Sequence, residues 1–330
     1  MPPSDLGHKL TDKELARLER RIREAYREAA DELQDTINEY FKSFIERDKK
    51  MQQMLAKDEI TQEHYDQWRL AQIGRGERFK SLRDKLAERM TNAHATAIAY
   101  TNDLTPGIYS LNRNFAAYQI EQIAGNIGFD LWDERTVKRL IAERPDLMPA
   151  YPKERALKRG IDLDYGKKQI TASVTSSILQ GKSIKGMADD LQKRIESMSR
   201  ESAIRTARTA VTGAQNAGRL DTYYAAEKMG IKCRKKWVAT LDGRTRDSHA
   251  ALDGEIVEND ETFSNGCRFP GDPRGAPGEI YNCRCTLVSE ISGIDATAGM
   301  RRARNTATGR NEMVEYQRYK QWMQKKKNES

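Results

Sequence analysis

W-V-A-T-L-D-G-R-T-R-D-S-H-A-A-L-D-G, residues 237–254, and P-G-E-I-Y-N-C-R-C, residues 277–285, bound the stretch on which the reading of this chain turns. Between Trp237 and Cys285 lie His249, one of the four histidines, and three of the four cysteines, Cys267, Cys283 and Cys285. Three of the nine prolines, Pro270, Pro273 and Pro277, are there too. Turn residues at that density break up regular structure. Just before them, Lys232–Leu241 alternates and carries β-formers, which reads as a strand ending at the Asp242-Gly243 turn. Short strands continue at Glu255–Val257 and Thr286–Val288.

Most of the chain outside this module reads as charged helix. Residues 8–73 contain no glycine and residues 4–105 no proline. Apolar residues at Leu15, Leu18, Ile22, Ala25, Tyr26, Ala29, Leu33, Ile37, Tyr40, Phe41 and Phe44 step by three or four and make one stripe. Thr11 with Glu14 looks like a capping box, so one helix is expected from 11 to 54, roughly 65 Å long at the usual rise. Such a helix must pack its stripe on a neighbour. Ile73–Gly76 reads as a break, and a second helix, Glu77–Asn102, is expected to close at Leu104-Thr105-Pro106-Gly107. Helices are expected further at 109–127, 133–143, 167–180, 183–195 and 200–229, with Pro145, Pro149 and Pro152 punctuating a loop between them. In the last helix the small residues Ala203, Ala207, Ala210 and Ala214 read as a packing face, and Arg205, Arg208, Asn216 and Arg219 as a polar one. His8, His64 and His94 read as helix or N-terminal residues and not as ligands.

The fold class is therefore α+β and mostly α: a long helical arm over 1–107, a mixed helical connector over 108–165, a helical and β/turn-rich module over 166–292, and a basic tail over 293–330. Residues 301–330 hold nine Lys/Arg against three Glu. Arg301, Arg302, Arg304, Arg310, Lys325, Lys326 and Lys327 are the candidate DNA contacts, because clustered cations suit phosphate; a helix is expected over 313–327. Across the whole chain, charged residues make up 32%, net charge is +8 and mean hydropathy is -0.82. No apolar run is long enough to span a membrane, and no signal peptide is expected.

His249, Cys267, Cys283 and Cys285 form a candidate tetrahedral set for one structural Zn²⁺, which takes thiolate and imidazole donors. The module has few large apolar residues, so a metal would add folding energy. Reduced buried thiols and a disulfide are open alternatives, and Cys233 reads as an ordinary buried residue. A metal-dependent enzyme acting on nucleic acid, centred on His249, is the alternative function. Against it, the sequence has no Gly-rich phosphate loop, G-x-S-x-G or H-E-x-x-H.

The order of I-R-T-A-R-T (204–209), N-A-G-R (216–219), the 237–257 run, Phe263, F-P-G-D-P (269–273) and N-C-R-C (282–285) resembles the phage Mu F-like head morphogenesis family over about 170–290. The family's characteristic positions fall on Trp237, Arg246, His249, Asp253, Gly254, Asn282, Cys283 and Cys285. The resemblance implies a minor capsid protein of a tailed phage and not an enzyme. It would lie inside the head near the portal, with host cytoplasm as its place of assembly. The partners it implies are portal, scaffold or major capsid protein, together with double-stranded DNA held without sequence preference. Some relatives continue into toxin domains; here the basic tail follows, and no effector activity is expected.

Overall fold

A computed structural model of the chain describes residues 5–124, 128–143, 163–197, 200–291, 300–304 and 311–315. The helices are α1 (Leu6–Lys42), α2 (Ile45–Ala56), α3 (Gln62–Arg69), a π-helical turn (Leu70–Arg75), α4 (Glu77–Ala124), α5 (Glu134–Glu143), α6 (Leu163–Leu179), α7 (Ile184–Ser197) and α8 (Arg200–Lys228). After them come β1 (Cys233–Val238), α9 (Asp247–Ala251), β2 (Ile256–Val257), α10 (Pro277–Ile280) and β3 (Thr286–Ile291), then β4 (Met300–Arg304) and β5 (Asn311–Glu315). The fold is mostly α with a small antiparallel sheet, the expected class. No described helix is long and apolar enough to cross a membrane. The described residues form two units, one within Met1–Leu18, Thr101–Ala150 and Arg205–Ser330, the other within Glu19–Tyr100 and Tyr151–Ile204.

In the unit containing Glu19–Tyr100 the apolar stripe behaves as its spacing dictates. Leu18 at its edge, then Ile22, Tyr26, Ala29, Leu33, Ile37, Tyr40, Phe41 and Phe44, are all buried, while Leu15 and Ala25 of the same stripe are half-buried. The expected single helix to residue 54 is not continuous. At Ser43 the hydroxyl donates to the Tyr40 carbonyl, and Phe44 N–H turns to Phe41 at 3.0 Å, three residues back. A side chain bonding its own backbone competes with the helical ladder, and α2 starts afresh at Ile45. Tyr26 Oη lies 2.8 Å from His94 Nδ1. His94 is buried, and burial holds its imidazole down to about 4. Arg69 and Asp48 form a buried ion pair at 3.2 Å; Tyr65 donates to the same carboxylate, and Arg69 also donates to the Lys182 carbonyl. His64 is exposed.

In the other unit the chain starts one turn earlier than the capping-box reading placed it. Asp5 accepts from His8 N–H at 2.9 Å in the manner of an N-cap. Thr11, inside the helix, donates instead to the Gly7 carbonyl and accepts from Asn112. His8, expected in a mobile N-terminus, is buried with its Nδ1 2.6 Å from Gln215. The expected helix end at Pro106 is also corrected, because α4 runs straight through it. Proline supplies no N–H for the carbonyl four residues back, and Thr105 Oγ1 donates to that Asn102 carbonyl at 3.3 Å.

Helix α8 is the centre of this unit. A Cβ at Gly218 would collide with the Tyr109 carbonyl oxygen of α4, with Arg113 N only 3.2 Å off, so the two backbones cross at a contact that only glycine allows. Asn216 and Arg219, expected on a polar face of the helix, are fully buried. Arg219 bonds Asp5 at 2.6 Å, Asn112 at 3.2 Å and the Leu287 carbonyl at 3.0 Å. Burial alone would raise the Asp5 carboxyl, but Arg219 beside it holds it at about 2. The sheet has order β2-β1-β3, all antiparallel, with Trp237 opposite Leu287 and Val238 opposite Thr286. β4 and β5 pair with each other, so residues 313–315 are strand where a helix was expected. The rest of that expected helix, 316–327, lies outside the described residues.

Candidate metal centre

The N-C-R-C stretch enters β3 directly, and side chains of neighbouring segments hold much of its backbone. Arg246 donates to the Tyr281 carbonyl. Thr209 of α8 accepts from Asn282 N–H at 3.2 Å, Thr212 donates to the Cys283 carbonyl at 2.8 Å, and Thr240 donates to that of Arg284 at 2.6 Å. Asn216 does most. Its amide donates to the carbonyls of Cys285 at 3.2 Å and Pro270 at 3.0 Å, and its oxygen accepts from Leu287 N–H at 2.9 Å. Asn282 has a left-handed φ of 53°, a conformation asparagine tolerates better than most residues. It turns the chain so that Cys283 and Cys285 can face one way. Gly271, with φ of 80°, lets the 269–273 turn close on Gly213 of α8, where an added Cβ would lie 2.8 Å from backbone on either side.

His249 comes from α9 on the far side of the 242–246 loop. Trp237 of β1 holds its ring edge-on at 5.3 Å and packs likewise on Phe263 at 5.1 Å. Asp253 accepts from Ala239 N–H at 2.9 Å, and Gly254, with φ of 85°, donates to the Trp237 carbonyl. The family positions Trp237, Asp253 and Gly254 therefore set where β1 ends and where α9 sits. Arg284 makes a two-pronged pair with Asp242.

These constraints converge on three donor atoms. His249 Nδ1 lies 3.4 Å from Cys285 Sγ and 3.7 Å from Cys283 Sγ. The three side chains are 2%, 3% and 1% exposed, and the donor atoms all lie within 4.8 Å of one another. A tetrahedral zinc with bonds of about 2.3 Å to sulfur and about 2.0 Å to nitrogen sets N···S edges of roughly 3.5 Å, which these match. Cys267, the fourth residue of the sequence-based set, lies outside the group. It is buried beside Asp272 and Glu279, and burial pushes its thiol up to about 12. Cys233 is buried on β1, its Sγ 3.6 Å from the Tyr223 carbonyl.

Burial opposes charge at all three donors, yet their mutual contacts prevail at two. Cys285 is held well below a thiol's ordinary value by hydrogen bonds from Cys283 and His249, Cys283 is pushed well above it, and His249 is raised by Cys285. A thiolate beside an imidazole serves a soft metal or a cysteine nucleophile. The second sulfur on the same ring nitrogen, and the near-complete burial of Cys285, favour the metal.

One participant carries no signal in the sequence. Glu279 Oε2 sits 3.1 Å from His249 Nε2, off the line of a good hydrogen bond, and is itself held by Asn265 and Ser248. A carboxylate on the distal ring nitrogen orients a ligating histidine. Glu279 lies thirty residues along the chain from His249, so only the fold brings the two together. Of the candidate DNA contacts, Arg301, Arg302 and Arg304 lie on β4, with their side chains outside the described residues, as are Arg310, Lys325, Lys326 and Lys327 entirely.

Residues 168–288 match the Phage Mu protein F like protein family. The chain is 29% identical over 264 residues to the minor head protein GP7 of Bacillus phage SPP1, covering 78% of this chain and 82% of that protein. It is 33% identical over 155 residues to the NAD(+)–arginine ADP-ribosyltransferase EFV of Enterococcus faecalis, 46% of this chain but 30% of that protein. An uncharacterized Bacillus subtilis protein, YqbB, is 34% identical over 121 residues, 34% of this chain and 38% of that protein. No solved structure matches the chain significantly.

Proposed function

We propose that this chain, a member of the Phage Mu protein F like family through residues 168–288, is a minor head protein of a tailed phage. The observation that carries the reading is its similarity to a minor head protein along 82% of that protein's length. We read it as a structural component and not an enzyme. The match to an ADP-ribosyltransferase spans 30% of that protein, so it supports a shared segment more than a shared activity.

In this reading the protein enters the procapsid in the host cytoplasm and lies inside the head near the portal. It docks on portal, scaffold or major capsid protein, and its basic tail contacts packaged DNA. Phosphate contacts of that kind are sequence-independent and weaken steeply with salt. His249, Cys283 and Cys285 would hold one structural Zn²⁺, tying β3 and the N-C-R-C turn to α9. The metal supplies folding energy to a module whose apolar core is small.

Two measurements test this. Mass spectrometry of purified heads of the encoding phage should find the chain at low copy number, and its absence from heads would overturn the assignment. Gel shifts on unrelated duplexes should show equal affinity, falling together as salt rises. Affinity unchanged by deleting 301–330 would remove the tail from the DNA contact.

A further inference from the structure

We infer that the metal held by His249, Cys283 and Cys285 keeps its fourth position for an oxyanion of the phosphate class, drawn in by an arginine-lined cleft. The inference rests on the metal reading of this site and deepens it. Among the described residues no further histidine, cysteine or carboxylate donor joins the three. Glu279 cannot complete the set, because it faces Nε2 while both sulfurs face Nδ1; the two ring nitrogens point in widely different directions. Cys267 lies outside the group. Zinc held by three protein ligands keeps a fourth position for a water or an exogenous ligand, while still tying together the segments that supply the three.

The surroundings say what that ligand is. The three donors line a small, partly open cleft of about 20 Å³, room for one ligand atom to reach them, that also takes in Arg244, Arg246, Thr245, Asn282 and Arg284. Two thiolates cancel the charge of a divalent ion, so the centre itself is neutral and its rim sets the field. Arg284 is matched by Asp242. Arg246 donates to a carbonyl, a neutral partner, and Arg244 is exposed with its backbone N–H on Asp242. The rim therefore carries positive charge in excess on Arg244 and Arg246, and guanidinium groups are donors of the kind that bind tetrahedral oxyanions; the Thr245 hydroxyl is already engaged, donating to the Thr240 carbonyl. Free phosphate and a backbone phosphodiester of DNA share this chemistry.

Cobalt substitution of the full chain tests the proposal without any assay of activity. Co²⁺ bound by two thiolates and a histidine shows sulfur-to-metal charge-transfer bands, and its visible d–d bands report the fourth ligand. Inorganic phosphate should shift the d–d bands saturably, and Arg244→Ala should weaken that response about tenfold or more while leaving the charge-transfer bands unchanged. If cobalt does not bind, the metal reading fails and takes this inference with it. If cobalt binds but neither phosphate nor a short DNA duplex moves the d–d bands, the site is closed and this inference alone is overturned. A shift with phosphate only assigns the ligand to the free anion. A shift with the duplex as well, lost at high salt, assigns it to the DNA backbone.

Discussion

Replacing Asn216 by alanine tests whether α8 builds the centre. The side chain is fully buried and joins α8 to the 269–273 turn, to Cys285 and to β3. Asn216→Ala strips a partner from the Pro270 and Cys285 carbonyls and from Leu287 N–H. An unsatisfied buried group costs about 1–3 kcal/mol, so three would reach at most about 9 kcal/mol. Water entering the vacated space recovers part of that, and the expected loss is about 3–5 kcal/mol. Because Cys285 loses the bond that fixes its backbone, zinc affinity should also fall, about tenfold or more, as it does when outer partners of a metal ligand are removed. Asn216→Asp should be no better: it still accepts from Leu287 but faces two carbonyl oxygens with no hydrogen to offer. Urea unfolding, followed by circular dichroism, and zinc competition against a chromogenic chelator measure the two effects. A loss under about 1 kcal/mol with unchanged zinc affinity would refute the view that α8 preorganises the N-C-R-C turn.

Gly218→Ala places a methyl group against the Tyr109 carbonyl and should cost about 1–3 kcal/mol by overpacking, against a near-neutral Gly243→Ala, where nothing lies within reach. His94 gives a pH dependence. Its folded-state value is depressed from 6.5 to about 4 by burial, so between these values the unfolded chain binds more protons than the folded one. Stability is then full above pH 6.5 and falls as pH drops toward 4, by about 3 kcal/mol at most; urea midpoints at several pH values should show the slope, and His94→Gln should flatten it.

How much of this was legible in the sequence depends on the range of the interaction. The stripe from Leu18 to Phe44 is local and periodic, and its burial followed from spacing alone. The interruptions were not legible where hydroxyl groups decide them. Ser43 ends a helix that has no proline and no glycine beyond Gly7, and Thr105 lets another pass through Pro106 by taking up the carbonyl that proline leaves. His8 looked terminal because Gln215, which holds its ring, and Arg219, which pairs with the neighbouring Asp5, lie about two hundred residues away in the chain. The burial of Asn216 and Arg219 was not legible because a polar stripe on a helix is usually solvated, whereas here it meets the backbone of other segments. His249, Cys283 and Cys285 could be chosen by donor chemistry. The place of Cys267 and the part played by Glu279 depend on loop geometry that spacing does not encode.

The most direct test of the central claim is elemental analysis of the purified chain alongside Cys267→Ser and Cys283→Ser. The account predicts about one zinc per chain in the wild type and in Cys267→Ser, and loss of zinc in Cys283→Ser. Zinc lost on replacing Cys267 but kept on replacing Cys283, or a folded wild-type chain purified with zinc available that carries none, would contradict it.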